Sequence, residues 1–194
     1  MSAASYSVGL ERCAANHVPL TPLGFLDRAA LVHPRRIAVV HGDLTRTWAQ
    51  TRERCYRLAS ALVAMGVEPG DTVSVLAPNT PAMLEAHFGV PLAGAVLNAI
   101  NHRLDAEGVA FILRHGECKL LMVDREYAGV AAAALELLDH RPIVVDIDDH
   151  LAPAGASVGE VDYESLLAGG DPRFPGIWPS DEWRGAPHDR AARN

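Results

Sequence analysis

The sequence of 194 residues has no long run of basic residues. Its 17 Lys and Arg are outnumbered by 24 Asp and Glu, so the formal net charge of the chain is −7. An acidic balance with interspersed charges argues against nucleic acid or an anionic membrane as a partner. Apolar stretches fall well short of the roughly 20 residues that a membrane-spanning helix needs. A basic segment followed by an apolar core is missing near the start, so no signal peptide is expected. We therefore predict a cytoplasmic protein.

The sequence also lacks several short motifs that identify common kinds of active site. Cys13, Cys55 and Cys118 form no CxxC pair, so neither a disulfide framework nor a thiolate zinc site is indicated, and they are interpreted as thiols of a reducing compartment. Dinucleotide-binding GxGxxG, phosphate-binding GxxxxGK[ST] and HExxH are all absent. We accordingly assign no catalytic, cofactor-binding or metal-binding residue.

Strand-like and helix-like patterns alternate through the middle of the chain. Continuous apolar runs occur at 72–77, 96–100, 120–123 and 143–147, and amphipathic segments separate them. Continuous apolar strands are typical of a sheet that is covered on both faces. Strand and helix alternation indicates βαβ crossovers. The predicted fold class is therefore α/β, with a mostly parallel sheet flanked by helices.

The flanking segments have weaker or more local signals. Thr47 with Gln50 predicts a capping box at a helix that ends near Gly66. Thr80 and Pro81 predict another helix start, with Leu84, Phe88 and Leu92 on its inner face. A helix at 21–32 and a hairpin around Gly42 precede these, and a short helix is expected within 161–168. We divide the chain into a loose lead-in at 1–18, an α/β region at 19–168 and an irregular, poorly ordered tail at 169–194.

An acidic cluster follows the last predicted strand and consists of Asp146, Asp148, Asp149 and His150. Clustered carboxylates suit Mg²⁺, which is the functional interpretation. The alternative is a solvated strand exit, and it is favoured because the side chains alternate between faces and lack the glycine-bearing loop of such metal sites.

Polar residues at another strand end, Asn98, Asn101, His102 and Arg103, lie where α/β proteins bind ligands. Hydrogen bonding within the crossover loop is the favoured alternative. His87 is interpreted as a partly buried packing residue rather than a base, since no carboxylate at a fixed spacing supports it.

Five segments carry a joint pattern: GVEPGDTV at 66–73, PNTP at 78–81, EAHFGVPLAGA at 85–95, VLNAINHRL at 96–104 and ILRHGECKLLMVD at 112–124. Together they resemble the AMP-dependent acyl-CoA synthetases and their adenylate-forming relatives. Residues 19–42 are similar to the opening segment of the branch that activates medium-chain or small substituted acids. The resemblance covers roughly 19–183, and it rests on the order and spacing of these pieces.

The resemblance implies a ligase that joins an acid to ATP as an acyl-adenylate and then transfers the acyl group to coenzyme A. ATP, Mg²⁺ and coenzyme A are the cofactors it implies, and a carboxylic acid is the substrate. The family's phosphate loop and its C-terminal lysine domain have no counterpart here, so no family site residue is carried over. We therefore expect an incomplete, N-terminal part of such an enzyme that is inactive by itself.

Residues 184–194 (RGAPHDRAARN) depart from the family, and we hypothesise a frameshift there. Without its remaining domain, the chain is expected to expose apolar surface and to self-associate. A second hypothesis is a stand-alone α/β binding or interaction module without catalysis, which would need an ordered C-terminal part that closes the fold after Asp149. A small nucleotide-binding enzyme is disfavoured, because no phosphate-cradling loop is present.

Overall fold

A computed structural model describes residues 9, 13, 15–153 and 155–179, so most of the predicted lead-in and the proposed frameshifted segment lie outside the described residues. Six helices and seven strands occur in the described part of the chain. The helices are α1 Pro22–Val32, α2 Trp48–Ala64, α3 Pro81–Leu92, α4 Ala106–His115, α5 Ala128–Glu136 and α6 Tyr163–Gly169. The strands are β1 Ile37–His41, β2 Leu44–Thr47, β3 Thr72–Leu76, β4 Val96–Ala99, β5 Cys118–Asp124, β6 Ile143–Ile147 and β7 Val161–Asp162.

Local side-chain chemistry sets where several helices begin. At α2 the Thr47 hydroxyl accepts from the Gln50 N–H, and the Gln50 side chain accepts from the Thr47 N–H, which is the predicted capping box. Asp105 caps α4 by accepting from the Gly108 N–H at 2.9 Å. Asp162 caps α6 in the same way. These caps satisfy backbone donors that a helix leaves unpaired at its first turn.

Five strands form one parallel sheet in the order β4-β3-β5-β6-β7, while β1 and β2 form a separate antiparallel hairpin. One face of the sheet packs on α2, α3 and α6, and the opposite face packs on α4 and α5. Every residue of β3 is buried, as expected for a central strand covered on both sides. The predicted α/β class, with a mostly parallel sheet flanked by helices, is confirmed.

The inner face of α3 differs from the prediction. Leu84 is 37% exposed, whereas Leu92 is buried and Phe88 is partly buried. Helix α2 packs closely on α3 at Gly89, where an added Cβ would lie 2.7 Å from Leu58 Cδ2. The i, i+4 spacing from Leu84 to Leu92 drifts around a helix of 3.6 residues per turn, so the first of these residues falls outside the buried face. Thr80 occupies the N-cap position of α3 but makes no capping hydrogen bond with its side chain.

The segment after β6 adds β7 and α6 to the core, and Tyr163, Leu166 and Leu167 are buried there. Residues 170–179 form neither helix nor strand, yet they pack on the body of the fold. The Arg57 guanidinium donates to the Gly170 carbonyl at 2.9 Å, and the Ile177 N–H donates to the Leu92 carbonyl at 2.8 Å. Composition alone did not predict β7 or these contacts. None of the described helices is long and apolar enough to cross a bilayer.

Candidate functional site

The crevice at the carboxyl edge of the sheet is the candidate site. Strand β3 lies between β4 and β5, and the helices that follow β3 and β5 pack on opposite faces of the sheet. This reversal makes a topological switch point, above which open α/β sheets bind ligands. The polar groups there come from the ends of β5 and β6 and from the turn that follows β3.

Asp124, the last residue of β5, lies at this switch point and is fully buried. Its Oδ1 accepts from the Glu126 N–H at 3.0 Å, while its Oδ2 has no hydrogen-bond partner in the described part of the chain. Burial raises the pKa of Asp124, and the negative charges of Asp149, Glu126 and Asp148 raise it further. Perturbed carboxyl groups cluster at functional sites. The sequence analysis did not single out Asp124; its only signal was a carboxylate that ends an apolar strand.

The four residues of the predicted acidic cluster separate into different roles. Asp146 is buried, and it accepts hydrogen bonds from the Ser157 hydroxyl and from the N–H groups of Val158 and Gly159, the latter at 2.9 Å. It therefore ties the 157–159 loop to β6 instead of facing solvent or sharing a metal with the others. Asp148 accepts from the Arg125 guanidinium at 2.7 Å. The interpretation as a simple solvated strand exit is thus wrong for Asp146, and no joint Mg²⁺ site of all four residues forms.

Asp149 and His150 instead meet His41, the last residue of β1, which the sequence analysis had not connected to them. His41 Nε2 lies 2.8 Å from Asp149 Oδ1 and 2.9 Å from Oδ2, and His150 Nδ1 lies 3.5 Å from Asp149 Oδ1. The two imidazole rings are nearly perpendicular, with centroids 5.6 Å apart. Burial opposes ionisation of Asp149, but hydrogen bonds from His41 and from the Leu151 N–H outweigh it and lower the pKa of Asp149.

The polar residues at the end of β4 have different partners. Asn101 Oδ1 accepts from the Arg103 N–H at 3.0 Å, which agrees with the favoured interpretation as hydrogen bonding in the crossover loop. Asn98, inside β4, instead donates from Nδ2 to Ser74 Oγ on the neighbouring strand at 3.1 Å. The His102 ring lies against Tyr127, with centroids 5.3 Å apart.

His87 does not have the environment of a base. Its ring is exposed, and its Nδ1 lies 2.8 Å from the Met83 carbonyl oxygen one turn earlier in α3. The prediction of a partly buried packing residue is wrong in its burial, since the ring turns outward to bond its own helix.

Glu85 forms the centre of a buried ion-pair network, and several of its partners line the same pocket as His41 and Asp149. Its carboxylate accepts from Arg46 Nη1 at 2.7 Å, from Arg54 Nε at 2.7 Å and from the Tyr163 hydroxyl at 2.8 Å. Burial opposes the charged form of Arg54, but hydrogen bonds to Glu164 and Glu85 outweigh it and raise the pKa of Arg54. The network joins β2, α2, α3 and α6, so it stabilises the fold around the crevice.

The chain matches the family model described as "AMP-binding enzyme" over residues 26–181. It is 49% identical over 187 residues to an acetate/butyrate–CoA ligase of Arabidopsis thaliana, named AAE7, peroxisomal, and this match covers 90% of the chain but 33% of that protein. A peroxisomal benzoate–CoA ligase of the same plant is 46% identical over 168 residues, which are 84% of the chain and 29% of that ligase. The chain thus spans about a third of the length of these curated relatives.

Solved structures are similar as well. An anthranilate CoA ligase, AuaEII, in complex with anthranoyl-AMP aligns over 90% of the chain and 32% of its own, with a TM-score of 0.73 and 19% identity, which supports the fold alone. The N-terminal domain of FACL13 from Mycobacterium tuberculosis aligns over 82% of the chain and 39% of its own, with a TM-score of 0.66 and 26% identity.

Proposed function

The chain belongs to the AMP-binding enzyme family, and on that premise we propose that it is the N-terminal part of an AMP-forming acyl-CoA ligase. The observation that carries the proposal is the family match over residues 26–181, combined with the span of about a third of each ligase relative. The intact ligase would activate a carboxylic acid with ATP and pass the acyl group to coenzyme A. This chain would contribute one wall of the assembled site, the carboxyl edge that carries Asp124.

The residues present do not fit an ATP–Mg²⁺ site by themselves. Charged phosphates require a loop of convergent backbone N–H groups or a helix N-terminus supported by cations, and the sequence holds no such phosphate loop. Arg46 and Arg54, two cations beside the crevice, already bind Glu85 and Glu164, and Arg125 binds Asp148. We therefore propose that the chain is inactive alone.

The substrate class is proposed as a short-chain or small aromatic carboxylic acid. The similar ligases carry acetate, butyrate and benzoate in their names, and 45% identity over 189 residues links the chain to a trans-cinnamate:CoA ligase of Petunia hybrida. Some of these relatives are named peroxisomal, so the cytoplasmic location stays a prediction.

The test is acid-dependent ATP–pyrophosphate exchange with three samples. The first is this chain alone, the second is the remaining two-thirds of the Arabidopsis acetate/butyrate ligase alone, and the third is a fusion of the two. We expect exchange only in the fusion, with acetate, butyrate or benzoate as the acid. Exchange by the chain alone would contradict the proposed inactivity, and a folded fusion without exchange for any acid would contradict the proposed ligase role.

A second candidate function is a non-catalytic α/β binding module. It is favoured by the closed C-terminal part, in which β7 and α6 complete the core and residues 170–179 pack on α2 and α3. Such a module would unfold in a single cooperative transition without any added domain. A broad, non-cooperative transition for the chain alone would argue against this candidate.

A further inference from the structure

We propose that His41, Asp149 and His150 form a binding site for one divalent transition-metal ion, with zinc as the first candidate. His41 ends β1, and the other two residues follow β6, so 108 positions separate His41 from Asp149 in the chain. No ligase activity is required for this site, and the proposal is independent of the proposed function.

The donor atoms are already spaced for a small ion. His41 Nε2 and Asp149 Oδ1 are 2.8 Å apart, His150 Nδ1 and Asp149 Oδ1 are 3.5 Å apart, and one donor atom from each residue lies within 4.8 Å of the others. Zinc bonds of about 2.0–2.1 Å in a tetrahedron place neighbouring donors about 3.3 Å apart. The two separations from Asp149 Oδ1 lie on either side of that value, so the three donor atoms are close enough to share one ion once the side chains adjust to it.

The donor set has the composition that zinc prefers. Two imidazole nitrogens and one carboxylate oxygen occur together in zinc sites that keep the fourth position for water or another small ligand. A pocket of about 90 Å³ adjoins the group and is also lined by Thr80 and Asp162. That volume exceeds the roughly 10–15 Å³ that one water molecule needs, so an open coordination position can be filled.

The local charge also favours a cation. Asp124 is fully buried, has one oxygen without a hydrogen-bond partner and makes no ion pair in the described part of the chain. Asp148 is neutralised by Arg125, which leaves the Asp124 and Asp149 charges without an arginine or lysine. Arg46 and Arg54 line the pocket but are held by Glu85 and Glu164. A bound divalent ion would offset the remaining negative charge.

Two backbone features hold the donors in place. The Leu151 N–H donates to Asp149 Oδ1 at 3.1 Å, which fixes the carboxylate relative to its own loop. Gly42, in the hairpin turn beside His41, has φ +58, and a Cβ added there would lie 2.9 Å from Leu151 Cδ1. The turn therefore seats the Leu151 side chain and keeps His41 against Asp149. Donors that are positioned before the ion arrives are a feature of built metal sites.

The experiment uses the full chain without a polyhistidine tag, stripped with a chelator and titrated with Zn²⁺ by calorimetry. We expect one saturable zinc per chain. His150→Ala and His41→Gln should each weaken zinc binding at least about 10-fold, since each removes a direct ligand. His140→Ala is the matched control, because His140 is an exposed histidine outside the group, and its binding should be unchanged.

Co²⁺ provides a second readout that does not depend on stability. Bound at this site, Co²⁺ should give visible d–d absorption of the intensity typical of four-coordinate ions, and His150→Ala should abolish it. His150 has a side chain that is 53% exposed, so this variant is expected to fold, as circular dichroism would verify. Absence of saturable zinc binding, or binding that is equally tight in His150→Ala and His41→Gln, would overturn the proposal and leave the His41–Asp149 contact as an ion pair only.

Discussion

Arg54 and Glu85 meet through two parallel hydrogen bonds, Nε to Oε1 at 2.7 Å and Nη2 to Oε2 at 3.1 Å. The Glu85 side chain is only 1% exposed, so the carboxylate depends on its protein partners to replace water. Arg46 and Tyr163 complete its coordination from β2 and α6. One buried carboxylate thus joins four elements, so its loss should destabilise the fold.

Glu85→Ala should lower the free energy of unfolding by about 3–5 kcal/mol, because it leaves two arginines partly buried without their main partner. Guanidinium-induced unfolding followed by circular dichroism measures the change. The matched control is Glu136→Ala at an exposed position at the end of α5, which should change stability by less than about 0.5 kcal/mol. Equal effects of the two substitutions would show that the network contributes little.

Two Gly→Ala substitutions should change stability in opposite directions. A Cβ at Gly170 would clash with the Arg57 carbonyl oxygen, so Gly170→Ala must push residue 170 away from α2 and should cost about 1–3 kcal/mol. Gly129 lies in α5 with nothing within 4 Å of an added Cβ, and Gly129→Ala should stabilise by about 0.5–1 kcal/mol through helix propensity. Thermal unfolding measures whether each substitution raises or lowers the melting temperature. A melting temperature for Gly170→Ala equal to that of the unchanged chain would mean that the 170–179 segment is not packed as described.

Acid should destabilise the protein partly through Glu164. Hydrogen bonds from Arg54 lower the pKa of Glu164 below its ordinary value of 4.5, and burial only partly opposes them. A carboxyl whose pKa is lower in the folded state stabilises above its unfolded pKa and loses that contribution as the pH falls through the folded pKa. Glu164→Gln should therefore flatten the fall in melting temperature from about pH 5 to about pH 3. Glu136→Gln is the control. If the melting temperature of Glu164→Gln fell with pH as steeply as that of the unchanged chain or of this control, the prediction would be contradicted.

The three thiols should react with Ellman's reagent at well-separated rates. Cys13 is exposed and should react first. Burial raises the pKa of the partly buried Cys118 and raises that of the buried Cys55 well above its ordinary value, which lowers the fraction of reactive thiolate. Cys55 should react only when the chain unfolds, and a denatured sample should titrate all three. Rapid reaction of Cys55 in the native protein would contradict its described burial.

Exposed apolar side chains on β1 should make the isolated chain self-associate. Ile37 is 60% exposed and Val40 is 69% exposed, and both lie on a hairpin outside the main sheet. Light scattering and binding of an apolar dye should increase with concentration, and Ile37→Ser with Val40→Ser should reduce both. Leu137→Ser, at a 47% exposed position after α5, is the control. A monomer without dye binding at all concentrations would refute this prediction.

The sequence predicted the elements whose signals are local. Thr47 and Gln50 lie three residues apart, and Pro81 occupies the first turn of α3, so residues close together in sequence indicate where these helices begin. The continuous apolar runs gave β3, β5 and β6, which are buried along most of their length, and β4, which is a partly buried edge strand. Strand β7 has only two residues, too few for any pattern to register.

The candidate site was less predictable because its contacts join distant segments. His41 and Asp149 are 108 positions apart, and the contact depends on a hairpin turn that brings Gly42 against Leu151. Asp124 looked like an ordinary strand end, and only the strand order shows that it lies at the switch point. Pairings of this kind are decided by the tertiary fold, which one sequence without an alignment does not reveal.

The contact between Arg54 and Glu164 spans 110 positions, whereas Arg54 and Glu85 are 31 positions apart. At a synthesis rate of roughly 5–20 residues per second, Glu85 is synthesised seconds after Arg54, whereas Glu164 follows Arg54 only after about 5–20 s. Arg54 can therefore pair early with Glu85, but its bonds to Glu164 form only after α6 has been synthesised. The nascent chain should therefore pass through an intermediate in which α2 is paired with α3 but not yet with α6.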